Sequence, residues 1–330
     1  MSRPARVLIY LCTAFVTCVL WIDGPARSTL WWGAPQPLPP TVEEDPKESD
    51  ISPEQQQTLA WETEQRRRKV VLNLACRQWL PKASKYLPKG KDDLKYLLVD
   101  DQHKALYCFV PKVGCTNWKR LWMILTGLSQ EDNPQDIPED VPHLLHDQMM
   151  LVNQPYDASE LQHKLDTYKK LIVVRDPFER FLSAYRDKLE GGTNKVYQEK
   201  VANKIKSFWP FSSHTPKNVT FPEFVDFVTG LSDTSYFDEH WRPYHKLCFP
   251  CAIRYHVIAK YETLTEDSER FLRLIGAPDN LHFPPYVPGN TSCILPQYMA
   301  SLSQAQRRKL YKLYQRDFEA FEYQPFGGPD

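Results

Sequence analysis

The stretch Leu106-Tyr-Cys-Phe-Val-Pro-Lys-Val-Gly-Cys-Thr-Asn-Trp-Lys-Arg120 indicates the fold of this 330-residue chain. It begins inside a compact apolar and aromatic run, Ala105–Val110, which is typical of a strand buried on both faces. A seven-residue turn, Pro111–Asn117, follows, and Trp118–Leu125 then has the apolar content of a packed helix. The stretch therefore predicts a buried strand, a tight turn and a helix in succession.

Two further strand-to-helix units follow along the chain. The apolar run Leu171–Val174 ends at Arg175-Asp-Pro177, after which apolar residues recur at helical spacing. A third run, Tyr255–Ala259, precedes a predicted helix from about Thr265 to Ile275. Apolar strands that alternate with helices predict an α/β fold, a parallel sheet flanked by helices. Because such sheets bind ligands beyond the carboxyl ends of their strands, we expect the first two turns to face one site.

The first turn has the composition of an anion-binding loop. Gly114 allows the backbone to turn sharply, and Thr116 or Asn117 can cap the helix that follows. Amides at the start of that helix can hold an anionic oxygen, while Lys112 adds a positive charge. The Walker A pattern is absent, and an ordinary turn with a surface lysine is the alternative. The candidate residues of this turn are Pro111, Lys112, Val113, Gly114, Cys115, Thr116 and Asn117.

The second turn places an arginine at the end of an apolar strand. Arg175 is costly there unless an anion pairs with it, and a phosphate suits its planar guanidinium. Ser183, further along the predicted helix, can direct its hydroxyl at the same anion. The alternative is a structural network in which Arg175 or Arg180 pairs with a neighbouring carboxylate. The candidate residues of this turn are Arg175, Asp176, Pro177, Phe178, Glu179, Arg180, Phe181, Leu182 and Ser183.

The N-terminal segment predicts a membrane anchor. Arg3 and Arg6 precede an apolar run that is short against the roughly 20 residues needed to cross a bilayer. A cleaved signal peptide is the alternative, but Pro25 makes a poor cleavage site. The positive-inside rule leaves the arginines in the cytosol. We therefore divide the chain into a cytosolic tail (1–6), a transmembrane signal anchor (7–22), a luminal stem (23–69) and a globular domain (70–330).

Charge and cysteine content add weaker constraints. Basic and acidic residues balance at 41 each, so the net charge says nothing about partners and attraction for an anion must come from local clusters. We expect no nucleic-acid partner. Six cysteines outside the apolar run permit disulfides without revealing their pairing. Cys248-Phe-Pro-Cys251 lacks the second cysteine pair of a zinc site, which favours a local disulfide or buried thiols. Asn218 and Asn290 each begin an N-glycosylation sequon.

Together the two turns resemble those of one enzyme family. The first is similar to the 5'-phosphosulfate loop of Golgi carbohydrate sulfotransferases, and the second to their 3'-phosphate site. The family contains the chondroitin and dermatan 4-O-sulfotransferases, the N-acetylgalactosamine 4-O-sulfotransferases and the HNK-1 sulfotransferase. Gly114 departs from the alanine of the chondroitin enzymes and agrees with the HNK-1 enzyme. The resemblance runs from about Cys76 to Tyr323 and includes Leu106–Arg120, Val174–Arg180, His240-Trp241, Leu247–Cys251 and Lys260–Leu264.

The resemblance implies a P-loop-like α/β fold and 3'-phosphoadenylyl sulfate (PAPS) as sulfuryl donor, without a metal. By match of position, Lys112, Thr116 and Asn117 would contact the 5' phosphosulfate. Arg175 and Ser183 would contact the 3' phosphate. It also implies a single-pass type II protein of the Golgi membrane, with the globular domain in the lumen.

A hydroxyl acceptor needs a general base within hydrogen-bond reach. His143 is the first candidate because it lies between the two turns, in a segment similar to the family. His240, in Glu239-His-Trp241, is the second, and Glu179 is the third. An isolated histidine is more often a structural residue, which is the alternative for each.

The acceptor is the part of the function that the sequence specifies least. Basic residues within Lys188–Lys206 and Arg307–Lys312 can hold a polyanionic glycosaminoglycan, or can simply form solvated helix faces. The leading hypothesis is the 4-hydroxyl of N-acetylgalactosamine in chondroitin or dermatan. The alternatives are 3-O-sulfation of a terminal glucuronate on a glycoprotein glycan, and a non-catalytic Golgi glycan-binding protein. Intact Lys112, Arg175 and Ser183 argue against the last.

Overall fold

The computed structural model describes residues 52–79, 88, 90–190, 194–208, 219–231, 237–286 and 289–327. Its strands are β1 (Leu97–Asp100), β2 (Ala105–Cys108), β3 (Lys169–Val174) and β4 (Val257–Lys260). Its α-helices are α1 (Pro53–Trp79), α2 (Cys115–Leu125), α3 (Val141–Leu145), α4 (Ala158–Thr167), α5 (Pro177–Lys188), α6 (Lys195–Tyr197), α7 (Asn203–Phe208), α8 (Phe221–Gly230), α9 (Tyr244–Leu247), α10 (Leu264–Leu274), α11 (Thr291–Ala300) and α12 (Gln304–Phe321). A π-helical turn, Gln198–Ala202, joins α6 to α7.

The described strands form a sheet in the order β1-β2-β3-β4. Strands β2, β3 and β4 run parallel, which confirms the predicted α/β architecture. The sheet is nevertheless mixed, because β1 pairs antiparallel with β2 through a short hairpin. The sequence analysis did not predict β1, since a four-residue strand is too short to show a clear hydrophobic period.

Two apolar clusters hold the second turn from both sides. One surrounds the sheet and includes Val174 at the end of β3. The other joins α5 to α8, α11 and α12 and includes Phe178. Within it, Phe181 of α5 stacks on Phe224 of α8 with ring centroids 4.7 Å apart. Since β3 and α5 belong to different clusters, the turn between them is anchored at each end.

Helix α1 begins within the segment interpreted as a stem. Its Arg68 is buried and donates hydrogen bonds to the Ile258 carbonyl at 2.7 Å and to Asp267 at 2.8 Å. Gln65, also buried, donates to Asp267 at 3.0 Å. These buried contacts involve polar side chains, so no apolar period marked the helix in the sequence. The predicted boundary between residues 69 and 70 therefore falls inside a helix that packs on the domain.

Two disulfides join distant parts of the chain. Cys76 pairs with Cys251 and Cys108 pairs with Cys248, across separations of 175 and 140 residues. The expectation of a local bridge between Cys248 and Cys251 is therefore wrong. The fold brings α1 and β2 beside the segment that follows α9, so each cysteine meets a partner from another element.

The membrane prediction concerns residues that are not described. Among the described ranges, no helix combines the length and the hydropathy of a membrane span. The anchor predicted at 7–22 lies outside those ranges, as does the first sequon residue, Asn218. Asn290 is described, and it is exposed immediately before α11.

Candidate active site

The carboxyl ends of β2 and β3 open into one cavity of about 520 Å³. Both predicted turns contribute to its wall, and Tyr261, just after β4, closes part of it. This is the edge of a parallel sheet at which ligands bind. The cavity therefore lies where the alternation of strands and helices predicted a site.

The first turn approaches the cavity with a tightly folded backbone. Lys112 and Gly114 both adopt left-handed φ angles, 72° and 83°. A methyl group on Gly114 would lie 2.8 Å from Leu264 Cδ2, so glycine suits both the turn and the close approach. Gly114, and not Thr116 or Asn117, is the N-cap of α2 and supplies no side-chain bond. The first amides of α2 are thus left for another acceptor.

Lys112 is held at the cavity by an ion pair. Its Nζ lies 3.2 Å from Oδ2 of Asp187, which also lies 2.9 Å from Nζ of Lys188. Burial raises the pKa of Asp187, but the two lysines outweigh burial and leave that pKa below its ordinary value. The loop lysine is therefore positioned by a charged carboxylate before any ligand binds.

Arg175 lies at the wall of the cavity and is only 3% exposed. Its Nε and Nη2 donate to one oxygen of Glu179, at 3.1 and 3.0 Å. Its guanidinium also lies 4.3 Å from the centroid of the Tyr261 ring. The predicted structural pairing with Glu179 is therefore present, and the arginine lines the cavity as well.

Arg180 has a structural position and does not line the cavity. It is 1% exposed, and its Nε donates to the Pro111 carbonyl at 3.0 Å. Its two Nη atoms donate to the carbonyls of Arg242 and Glu239, at 2.9 and 2.8 Å. Arg180 thus links the first turn, α5 and the segment before α9.

The predicted donor-site residues divide into two groups. Those that line the cavity are Pro111, Lys112, Gly114, Cys115, Thr116, Arg175 and Ser183. Those that do not are Val113, Asn117, Asp176, Pro177, Phe178, Glu179, Arg180, Phe181 and Leu182. Helical geometry explains most of the second group, because α5 presents one face to the cavity and packs the other in the second apolar cluster.

His143, the first candidate base, contacts the first turn. Its Nε2 lies 3.0 Å from the Thr116 hydroxyl. Burial lowers its pKa to about 4, with help from the positive charges of Lys119 and other neighbours. The ring is therefore neutral at mildly acidic pH, but its affinity for a proton is weak.

His240, the second candidate base, is oriented by a carboxylate. Its Nδ1 lies 2.6 Å from Oδ1 of Asp238 and 3.0 Å from the Tyr197 hydroxyl, which donates to Asp238 at 2.9 Å. Burial raises the pKa of Asp238, but the hydrogen bond and charge of His240 lower it below its ordinary value. Because Nδ1 is engaged, Nε2 is the nitrogen that can act as a base.

Comparison with known proteins identifies the family to which the chain belongs. Residues 95–324 match the sulfotransferase family, a span that includes both turns and both histidines. The chain belongs to the sulfotransferase family. It is therefore a transferase, and the cavity is the candidate active site of this sulfotransferase.

Individual relatives of this sulfotransferase are named carbohydrate sulfotransferases. Carbohydrate sulfotransferase 11 of Rattus norvegicus is 37% identical over 241 residues, which is 70% of this chain and 68% of the relative. Carbohydrate sulfotransferase 8 of Mus musculus is 35% identical over 274 residues, 79% of this chain and 64% of the relative. Carbohydrate sulfotransferase 12 of Mus musculus is 34% identical over 256 residues, which is 70% of this chain and 60% of the relative. No solved structure matches the chain.

The sulfotransferase cavity also contains residues that the sequence analysis did not place there. Two of them, Asp187 and Lys188, lie one turn beyond Ser183 on α5, a spacing that could have revealed them. Lys119 follows Cys115 by four residues on α2, so the helical spacing from a predicted site residue could have revealed it as well. The others are Glu139, Glu239, Tyr261, Gly289 and Thr291. They come from separate segments, and only the tertiary structure brings them together.

Metal ligands are not clustered in this part of the chain. Within the described ranges, no group of three or more histidine, cysteine, aspartate or glutamate side chains is arranged to hold a metal ion. The cavity offers an anion the side-chain ammonium and guanidinium groups of Lys112, Lys119, Arg175 and Lys188.

Proposed function

We propose that this sulfotransferase transfers a sulfuryl group from PAPS to the 4-hydroxyl of N-acetylgalactosamine in chondroitin or dermatan. The observation that carries the proposal is that Lys112 and Arg175, two cations that follow two parallel strands, line the same cavity. A donor with a phosphosulfate at one end and a phosphate at the other needs two such cationic positions. The cavity volume of about 520 Å³ is of the size that nucleotide-like ligands occupy.

The chain's own residues suit the two anionic ends of the donor. Arg175 and Ser183 are proposed to hold the 3' phosphate, while Lys112, Thr116 and the first amides of α2 hold the 5' phosphosulfate. PAPS supplies an activated sulfuryl group with a phosphate as leaving group. Catalysis then consists of alignment, and of Lys112 stabilising the charge that develops on the leaving oxygen.

His240 is proposed as the general base that takes the proton of the sugar hydroxyl. Its Nδ1 is held by Asp238 at 2.6 Å, and that carboxylate stabilises the imidazolium formed on proton transfer. His143 was the first candidate, but burial lowers its pKa to about 4, which makes it a weak proton acceptor. We propose that His143 instead positions Thr116, which it contacts at 3.0 Å.

The cellular setting is also a proposal. The Golgi membrane location, with a cytosolic tail at 1–6, an anchor at 7–22 and a luminal domain, rests on the N-terminal pattern and on the family resemblance. The sequons at Asn218 and Asn290 belong to the same proposal. Glycosidase treatment of the expressed full chain tests it, because glycans at these positions require luminal synthesis.

One assay tests the reaction. Labelled PAPS would be offered with desulfated chondroitin, desulfated dermatan, and oligosaccharides that end in glucuronate or N-acetylgalactosamine. We expect label at the 4-hydroxyl of N-acetylgalactosamine in the polymers. If no acceptor incorporates label although the protein still binds PAP, the desulfated form of PAPS, the result would contradict the proposal and favour a non-catalytic glycan-binding protein.

A second candidate, 3-O-sulfation of a terminal glucuronate, is favoured by one feature. Gly114 agrees with the HNK-1 enzyme, and its left-handed φ of 83° and close approach to Leu264 give the glycine a physical role here. Label confined to the glucuronate-terminated oligosaccharide would establish this candidate in place of the first.

A further inference from the structure

Lys119 is a buried cation in the wall of the active-site cavity. It lies on α2 one helical turn beyond Cys115, and only 3% of its surface is exposed. Like Cys115 and Thr116, it lines the cavity.

In the described part of the chain, the ammonium group of Lys119 has an aromatic neighbour and no ion-pair partner. Among the described residues, no carboxylate oxygen lies within ion-pair distance of its Nζ, whose close contact is the Phe109 ring, 4.2 Å from the ring centroid. Burial lowers the pKa of Lys119, although Cys115, Glu239 and Asp147 act in the opposite direction. A buried charge without a hydrogen-bonded partner is costly, so such a position is maintained where a ligand supplies the partner.

Lys170 shows what a structural buried lysine looks like in this protein. It is 1% exposed and lies on β3, away from the cavity. Its Nζ donates to the Tyr168 carbonyl at 2.7 Å, so the protein itself satisfies it. The contrast between the two lysines indicates that Lys119 is reserved for an anion from outside the chain.

Lys119 shares the cavity with the proposed base. It lines the same cavity as Glu239 and His240. Glu239 directly precedes His240. The loop and 3'-phosphate positions, by contrast, already have their cations in Lys112 and Arg175.

We propose that Lys119 binds the carboxylate of a hexuronate next to the accepting sugar, and so selects an acidic glycan. The inference rests on the proposed function, because it assumes that a glycan reaches His240. It adds a specificity determinant: the enzyme recognises the repeating acidic unit of the acceptor as well as the sugar that carries the hydroxyl.

The test compares two acceptors that differ only in the carboxylate. Desulfated chondroitin and its carboxyl-reduced derivative would be assayed with wild type, Lys119→Met and the matched control Lys170→Met. We expect Lys119→Met to lose about 10- to 100-fold in kcat/KM on desulfated chondroitin, mainly through KM, as for a lost hydrogen bond to a charged group. Its kcat/KM on the carboxyl-reduced polymer should match that of wild type, and PAP affinity should be unchanged.

Two readouts remain informative whatever the reaction. Without ligands, Lys119→Met should melt at a higher temperature than wild type, because an unpaired buried charge is removed, whereas Lys170→Met should not. Direct binding of a desulfated chondroitin oligosaccharide should be tighter than binding of its carboxyl-reduced form. Wild type that binds chondroitin in this way but transfers no sulfate would contradict the proposed function alone.

Three results would overturn the inference. Equal losses by Lys119→Met on both polymers would assign Lys119 to the transferred sulfuryl group. A lower melting temperature for Lys119→Met would make the lysine structural. Wild type with no preference between the two polymers, in binding and in transfer, would show without any variant that no carboxylate is recognised.

Discussion

At the scale of single residues, the cavity separates groups that bind charge from groups that move a proton. Lys112 is positioned by Asp187, and His240 by Asp238, so the loop lysine and the proposed base each have a carboxylate partner. The partner fixes the orientation of the side chain before substrate binds, which lowers the cost of ordering it in the transition state.

Lys112→Ala should lower the rate of transfer by about 10²–10³-fold without unfolding the protein. The side chain makes an ion pair at the cavity surface and few core contacts, so the melting temperature should barely change. Losing a group that stabilises the leaving oxygen should cost about 2.7–4 kcal/mol of barrier, measured as kcat with labelled PAPS. Lys164→Ala, which removes the ion pair of a lysine outside the cavity with the exposed Asp101, is the matched control. A folded Lys112→Ala enzyme with near-full turnover would contradict the assignment.

His240→Ala should lower kcat by roughly 10²–10⁴-fold, the usual contribution of a general base, with PAP affinity preserved. Asp238→Asn should also lower kcat, because Nδ1 would lose the acceptor that fixes its tautomer. His143→Ala should cost less. The outcome that contradicts this assignment has two parts. The wild-type rate would stay level with falling pH and decline only near pH 4, and His143→Ala would remove both this decline and most of the rate. In that case the base is His143.

At the scale of elements, the position of the second turn depends on the N-cap of α5 and on the hydrogen bonds that α5 makes to other segments. Asp176 caps α5 by accepting hydrogen bonds from the amides of Phe178 and Glu179, at 2.8 and 3.0 Å. Arg180, one turn later, holds three carbonyls from two other segments. The start of this helix therefore does not line the cavity itself; it supports Arg175 and Ser183, which do, and it connects separate segments of the fold.

Asp176→Asn should change the pH dependence of stability. Burial raises the pKa of Asp176 from 3.8 to about 6. The wild-type residue thus stabilises the fold fully below pH 3.8 and loses this contribution as the pH rises through about 6. Asparagine can still cap the helix but does not ionise. Relative to wild type, the variant should therefore gain stability between pH 4 and 7, by at most about 3 kcal/mol. Denaturant unfolding across this range measures the difference, and a difference that does not vary with pH would refute the argument.

Arg180→Ala should destabilise the protein by about 3–5 kcal/mol, because it leaves buried carbonyls without donors. Arg186→Ala is the matched control on the same helix, since Arg186 pairs with Glu190 at the surface and should contribute about 1 kcal/mol or less. Urea unfolding of both variants tests the contrast. Similar, small losses would show that Arg180 is not the connection described here.

At the scale of the whole molecule, the two disulfides connect parts of the chain that are far apart in sequence. Cys76–Cys251 links α1 to the segment that follows α9. Cys108–Cys248 links the end of β2, which lies close to the first turn, to the residue directly after α9. Both close long loops, and a cross-link of that kind stabilises chiefly by restricting the unfolded chain.

The double variant Cys108→Ala/Cys248→Ala should lose about 2–5 kcal/mol of stability, seen as a lower melting temperature. Reductant should lower the melting temperature of wild type in the same direction. Cys293→Ala, which removes an exposed free thiol, should leave it unchanged. A double variant that melts with wild type would mean that this bridge is not formed in the native protein.

The sequence by itself determined the parallel part of the sheet and the two turns at its edge. These features are local: a buried strand is a short apolar run, Gly114 follows one such run by four residues, and Arg175 stands directly after another. The edge on which the turns meet then follows from the geometry of parallel strands. Neighbouring residues carried this information, so no knowledge of distant contacts was needed.

Only the tertiary structure decided which residues face the cavity and which support it. Arg175 and Arg180 occupy similar positions in the sequence, yet one lines the cavity and the other is enclosed by carbonyls from elsewhere in the chain. The contact of Tyr197 with His240 and the disulfide partners of Cys248 and Cys251 were equally out of reach. The Lys112–Asp187 ion pair, the carbonyls that enclose Arg180 and the two disulfides join groups separated by tens to hundreds of residues, and a local pattern does not contain those distances.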